Sequence, residues 1–99
     1  MAGLEAKLTT QILTALRKRG GWWAKFHGGV YQRGIPDILG CYCGKMVALE
    51  VKVNGRHYGA TALQQKNIDE INKCGGNASV IYSIQDALKI LDYIDESAL

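Results

Sequence analysis

Leu4, Leu8, Ile12 and Leu16 recur every four residues and Leu13 widens the stripe, so the first segment predicts an amphipathic helix over residues 3–19. Gly20-Gly21 stops it. Trp22 to Val30 is aromatic and β-prone and predicts a first strand. Asp37 to Tyr42 and Met46 to Val53 predict two more strands, with a turn near Cys43-Gly44 between them. Asn54 to Ala60, with two glycines, reads as a loop. Thr61-Ala62-Leu63-Gln64 has capping-box spacing and opens a helix running to about Cys74, where Gly75-Gly76 ends it. Ala78 to Tyr82 predicts a short buried strand. Ser83 caps a last helix whose apolar face is Ala87, Leu88, Leu91 and Ile94.

The order is αβββαβα. The first three strands are near enough in sequence for an antiparallel meander, and the helical link from the third to the fourth suits a right-handed parallel crossover. The expected fold is α/β: a mixed four-stranded sheet flanked by helices, in one domain over residues 1–99.

Composition narrows the setting. The 99 residues (10.8 kDa) are 47% hydrophobic and 21% charged, with one proline and no low-complexity tract. No apolar run approaches the roughly 18 residues of a membrane span. The first residues lack a basic segment followed by an apolar one, so export is not expected. Cys41, Cys43 and Cys74 are an odd set without zinc-ligand spacing, which predicts free thiols in a reducing cytoplasm.

The net charge of +3 is unevenly spread. Residues 1–60 hold nine Lys/Arg against three acids, and residues 61–99 hold three Lys against six acids. A basic first half suits an anionic partner such as nucleic acid. Its three acids, Glu5, Asp37 and Glu50, invite separate attention.

A two-residue turn at Cys43-Gly44 pairs Tyr42 with Lys45 and sets Asp37 opposite Glu50, where Cβ atoms stand about 4.5–5.5 Å apart. Two carboxylates so placed repel unless a positive group lies between them. Lys52 shares their face roughly 6.6 Å along the strand, while Val47, Leu49, Val51 and Val53 point into the core. A hard divalent cation such as Mg²⁺ suits this oxygen-rich pair and would activate water for attack at phosphorus, with Lys52 orienting that water or stabilising charge. A turn one residue later, at Gly44-Lys45, instead makes Asp37 and Lys52 a cross-strand salt bridge. At about 100° per residue, Glu5 falls inside the apolar stripe of its helix, where a carboxylate needs a partner or a metal. The alternative is a first-turn acid favoured by the helix dipole.

Gly34-Ile35-Pro36-Asp37, then Glu50-Val51-Lys52 after a glycine-containing hairpin, within αβββαβ order and behind a helix-borne glutamate, resembles the PD-(D/E)XK nuclease superfamily. Thr61-Ala62-Leu63-Gln64 after the third strand and the short length resemble its VRR-NUC (virus-type replication-repair nuclease) branch, whose stand-alone proteins are often phage-encoded. The resemblance runs from Glu5 to Tyr82. It implies a restriction-endonuclease-like core with an added C-terminal helix, and Mg²⁺- or Mn²⁺-dependent cleavage of DNA. By position it makes Asp37, Glu50 and the Val51 carbonyl metal ligands and Lys52 the catalytic lysine. Glu5 becomes a direct or water-mediated ligand, and Gln64 a residue near the metal or scissile phosphate. Gln64 is equally explained as the capping partner of Thr61.

Arg17, Lys18, Arg19, Lys25, Arg33, Arg56 and Lys66 are candidate phosphate contacts, although basic residues ending a helix also complement its dipole. His27, beside Gly28-Gly29 before the Pro-Asp motif, is a candidate to face the site or contact the phosphate backbone of nucleic acid, the alternative being a core histidine. Of Trp22 and Trp23, which alternate faces, at least one belongs to the core. The expected activity is a metal-dependent DNA endonuclease of a bacterial or phage-infected cell. Its size implies a homodimer, since cutting two strands takes two sites, and the resemblance points to branched DNA such as a four-way junction. The alternatives are a nonspecific or flap nuclease, or a non-catalytic nucleic-acid-binding or assembly module.

Overall fold

The computed structural model describes residues 3–26, 33–53 and 60–98. The elements are α1 (Leu4–Arg19), β1 (Trp22–Lys25), β2 (Ile38–Tyr42), β3 (Lys45–Val51), α2 (Ala62–Lys73), β4 (Asn77–Ile81) and α3 (Ile84–Ser97). One sheet has the order β1-β2-β3-β4, antiparallel through β3 and parallel between β3 and β4. The mixed α/β architecture expected from the hydrophobic pattern is the one observed. The first strand ends at Lys25, short of its expected span: Phe26 already lies outside the strand, and 27–30 lie outside the described residues. Among the described residues, no helix is long and apolar enough to cross a membrane.

Register follows from one turn. Cys43 and Gly44 both have positive φ, +50° and +77°, the two-residue hairpin conformation whose twist matches that of the strands. Tyr42 therefore pairs with Lys45 and Ile38 with Leu49. The salt-bridge register that would set Asp37 against Lys52 is not adopted.

The two faces of the sheet are unequal. Val47, Leu49 and Val51 of β3 point toward α1 and α3, joining Ile12, Leu16, Ile38, Ile81 and Leu91 in the main core. Trp23 belongs to this core and is 5% exposed. Its ring lies over Gly40, its cross-strand partner, where an added Cβ would come within 2.2 Å of the indole. The opposite face carries a smaller cluster in which Ala48 and Ala78 give Ile68 of α2 room to pack. α2 sits over β4 and β3.

Side chains cap both outer strands. Arg17 donates from Nη2 to the Trp23 carbonyl at 3.2 Å on β1. On β4, Asn72 accepts from the Ala78 N–H at 2.8 Å and donates to its carbonyl at 3.0 Å, as a neighbouring strand would. Arg19 joins α1 to α3 through Asp92 and Asp95, and the Tyr42 hydroxyl donates to the same Asp95 at 2.9 Å.

Candidate active site

Asp37 and Glu50 reach one place from adjacent strands. Asp37 follows the fully buried Pro36, and its carbonyl accepts from the Phe26 N–H at 2.8 Å. Gly34, at φ +78°, lets the approaching chain lie against α2, where a Cβ would meet Leu63 Cγ at 2.7 Å. The Gly-Ile-Pro-Asp run thus has a steric cause as well as a chemical one. One Asp37 oxygen, Oδ2, accepts from the Val51 N–H at 2.8 Å, which ties its rotamer to the end of β3.

Glu50 stands on the face of β3 opposite the main core and is only 2% exposed. Lys52 continues that face beyond β3, held by its N–H donating to the Ile81 carbonyl at 2.9 Å. Its Nζ is 3.8 Å from Glu50 Oε2, a charge contact longer than a hydrogen bond. Burial is the main force raising the Glu50 carboxyl to about 8. The hydrogen bond with Asp37 and the Asp37 charge add to it, Lys52 opposes it, and Glu5 raises it further.

The other Glu50 oxygen, Oε1, is buried and has no hydrogen-bond partner. An acceptor left in that state costs about 1–3 kcal/mol and is the kind of group a cation would satisfy. The donor set fits a hard divalent ion: two carboxylates, a nearby backbone and no thiolate or imidazole among the described residues at the site. Among the described residues, no three His, Cys, Asp or Glu side chains group tightly enough to grip one ion. Glu5 is half-buried in the first turn of α1 and bears on Glu50 through its charge.

The remaining candidates divide. Gln64 completes the capping box: Oε1 accepts from the Thr61 N–H at 2.9 Å, and Thr61 Oγ1 accepts from the Gln64 N–H at 3.2 Å. Its amide oxygen is thus engaged at the start of α2. Arg17 and Arg19 have structural partners in Trp23 and the α3 aspartates. Their end of α1 is roughly 20 Å along the helix from Glu5, so the 17–19 run lies away from the acid pair. Lys18, Lys25, Arg33 and Lys66 are exposed, and Lys25 pairs with Ile38 next to Asp37. His27 and Arg56 lie outside the described residues. Sequence reasoning missed the roles of Val51 N–H and Gly34 in setting Asp37. For Gly34 the available signal was a glycine two residues before a proline.

No family model and no curated protein matches the chain. Among solved structures, it matches one described as a VRR_NUC domain with a TM-score of 0.73 and 22% sequence identity, over 92% of this chain and 97% of that one. The fold is that of a VRR_NUC domain. The match spans almost the whole of both chains, so the likeness is one of the entire fold. Within the VRR_NUC fold, the acid pair stands where β2 and β3 emerge from the meander.

Proposed function

We propose that this chain is a member of the VRR-NUC family and a metal-dependent DNA endonuclease that hydrolyses phosphodiester bonds. The observation that carries the reading is the buried, unpartnered Oε1 of Glu50 beside Asp37 and Lys52.

Asp37 and Glu50, with the Val51 carbonyl, would hold Mg²⁺ or Mn²⁺. When bound, the ion supplies positive charge against the phosphoryl oxygens and lowers the pKa of water. Val51 N–H fixes the direction of the Asp37 carboxylate, so little reorganisation is needed on loading. Lys52, 8% exposed, keeps a cation in a poorly hydrated place where charge on a reacting phosphate would develop. Lys25, Arg33 and Lys66 supply phosphate contacts around the site, with Lys18 farther along. Branched DNA, such as a four-way junction, is the preferred substrate we propose, a choice resting on the resemblance of the Pro-Asp and Glu-Val-Lys motifs.

The test incubates labelled linear, flap and four-way-junction DNA with Mg²⁺, Mn²⁺ or EDTA, using wild type, Asp37→Ala and Lys52→Ala. Metal-dependent cutting lost in both variants is expected. Cutting that survives unchanged in both overturns the site, and tight binding without cutting under either metal identifies a non-catalytic module.

A further inference from the structure

The first turns of α1 and the end of the edge strand β1 border a groove of about 480 Å³, lined by Ala6, Lys7, Thr10, Gln11 and Lys25. Chain direction explains the meeting. After Gly20-Gly21, β1 runs back along α1, so the last residue of the strand returns to the start of the helix. Both lysines are exposed, and neither forms an ion pair with a described residue. No acid lines the groove, and α1 carries none after Glu5. Like charges brought together without a counter-charge repel. Lys7 is also the fourth residue of α1, near the end whose dipole disfavours a cation. Helix stability does not explain this pair.

We infer that this groove holds a backbone phosphate of the DNA strand flanking the scissile bond, with Lys7 and Lys25 as its cations and the Gln11 amide as a neutral donor. The inference rests on the nuclease reading for its ligand and adds a contact outside the acid site. A backbone donor supports the lysines. Phe26 N–H donates across to the Asp37 carbonyl, so alternation turns the Lys25 N–H outward from the sheet edge. Thr10 donates its hydroxyl to the Ala6 carbonyl at 3.1 Å and so shapes the wall instead of reaching for the anion. The distance from the reaction follows from helix geometry. At about 100° per residue, Lys7 projects roughly 160° around α1 from Glu5, whose charge reaches Glu50. A helix with its side chains is about 10–12 Å across, and one strand of a duplex carries a phosphate about every 3.4 Å of axis. The groove therefore meets the strand about three phosphates from the acids, as a positioning contact. The groove beside Met46 contains Glu70 instead, an unfavourable neighbour for phosphate.

Fluorescence anisotropy on the full chain in EDTA, with a labelled four-way junction and a linear duplex across a salt series, tests the groove without cutting. Lys7→Ala and Lys25→Ala should each lower the slope of log affinity against log salt by about one, and the double variant by about two. Gln11→Ala should weaken binding about threefold and leave the slope alone. Lys89→Ala, an exposed change on α3, should match wild type in both slope and affinity. Circular dichroism melts check that each variant folds. A single neutral methylphosphonate about three phosphates from the mapped cut should weaken wild type and leave the double variant unaffected. An unchanged slope in the double variant, an equal drop in Lys89→Ala, or a methylphosphonate that weakens both proteins alike overturns the inference. So does a wild type that binds neither DNA. Binding with these slopes but no cutting under Mg²⁺ or Mn²⁺ keeps the phosphate contact and sinks the nuclease reading, whereas cutting with unchanged slopes does the reverse.

Discussion

The Val51 N–H donates to Asp37 Oδ2 at 2.8 Å, so a side chain from the start of β2 takes the place of a backbone acceptor at the end of β3. The same carboxylate is asked to hold the strands and to hold an ion. Asn retains an acceptor while removing the charge; Ala removes both. Asp37→Asn should therefore fold with at least wild-type stability at pH 8, where it relieves repulsion on Glu50. Asp37→Ala should lose about 1–3 kcal/mol, the cost of leaving a buried N–H unpaired. Both should lower cleavage by about 100-fold or more. Urea unfolding separates the two variants, and nicking assays group them.

Stability of the metal-free protein should fall as pH rises. Glu50 ordinarily titrates near 4.5 and in the fold near 8, so the folded state holds a proton that the unfolded state has released between those values. The stabilisation that proton brings is complete below about pH 4.5 and is lost as pH climbs through 8. The effect is on the order of a few kcal/mol. Thermal melts in EDTA at pH 5.5 and 8.5 should show wild type losing more Tm than Glu50→Gln, which has nothing to titrate there. Equal losses would contradict the burial argument. Added Mg²⁺ should raise the wild-type Tm more at pH 8.5 than at pH 5.5, because loading displaces the proton.

Gln64 and Thr61 should behave as one unit. Each satisfies a backbone N–H near the other, so Thr61→Ala and Gln64→Ala should each cost about 0.5–2 kcal/mol. The double variant should cost clearly less than their sum. Cleavage by Gln64→Glu, which keeps an acceptor for the Thr61 N–H, should stay within about threefold of wild type. A loss of cleavage without loss of stability would place Gln64 at the phosphate instead.

Arg19 and Lys25 should part ways when DNA is added. Arg19 is engaged by Asp92 and Asp95, so Arg19→Ala should lower Tm yet leave the salt dependence of DNA binding unchanged. Lys25 is exposed at the end of β1, where its strand partner Ile38 follows Asp37 in the chain. Lys25→Ala should leave Tm unchanged and reduce the slope of log affinity against log salt by about one. Fluorescence anisotropy across a salt series measures both.

The local signals legible in the chain were those with a short-range physical basis. Cys43-Gly44 is a two-residue turn signal, and once it forms, the opposition of Asp37 and Glu50 follows from strand geometry. Thr61 and Gln64 specify their box within one helical turn. Alternation along β3 assigned Val47, Leu49 and Val51 to one face and Glu50 and Lys52 to the other. The features that escaped depend on packing between distant segments. Arg19 meets partners 73 and 76 positions away, which no window of sequence contains. The hydrogen bond that turns Asp37 back onto Val51 joins residues 14 positions apart, at the start of β2 and the end of β3.

The two capped strands bear on how the chain behaves before and after it folds. Four short strands with bare flanks would invite neighbouring chains to add strands of their own, the first step toward ordered aggregates. With Trp23 and Ala78 already satisfied from within, the sheet has a defined width. Loss of the Asn72 amide should therefore surface first as poor solubility at high expression, before any change in the chemistry at the far end of β3.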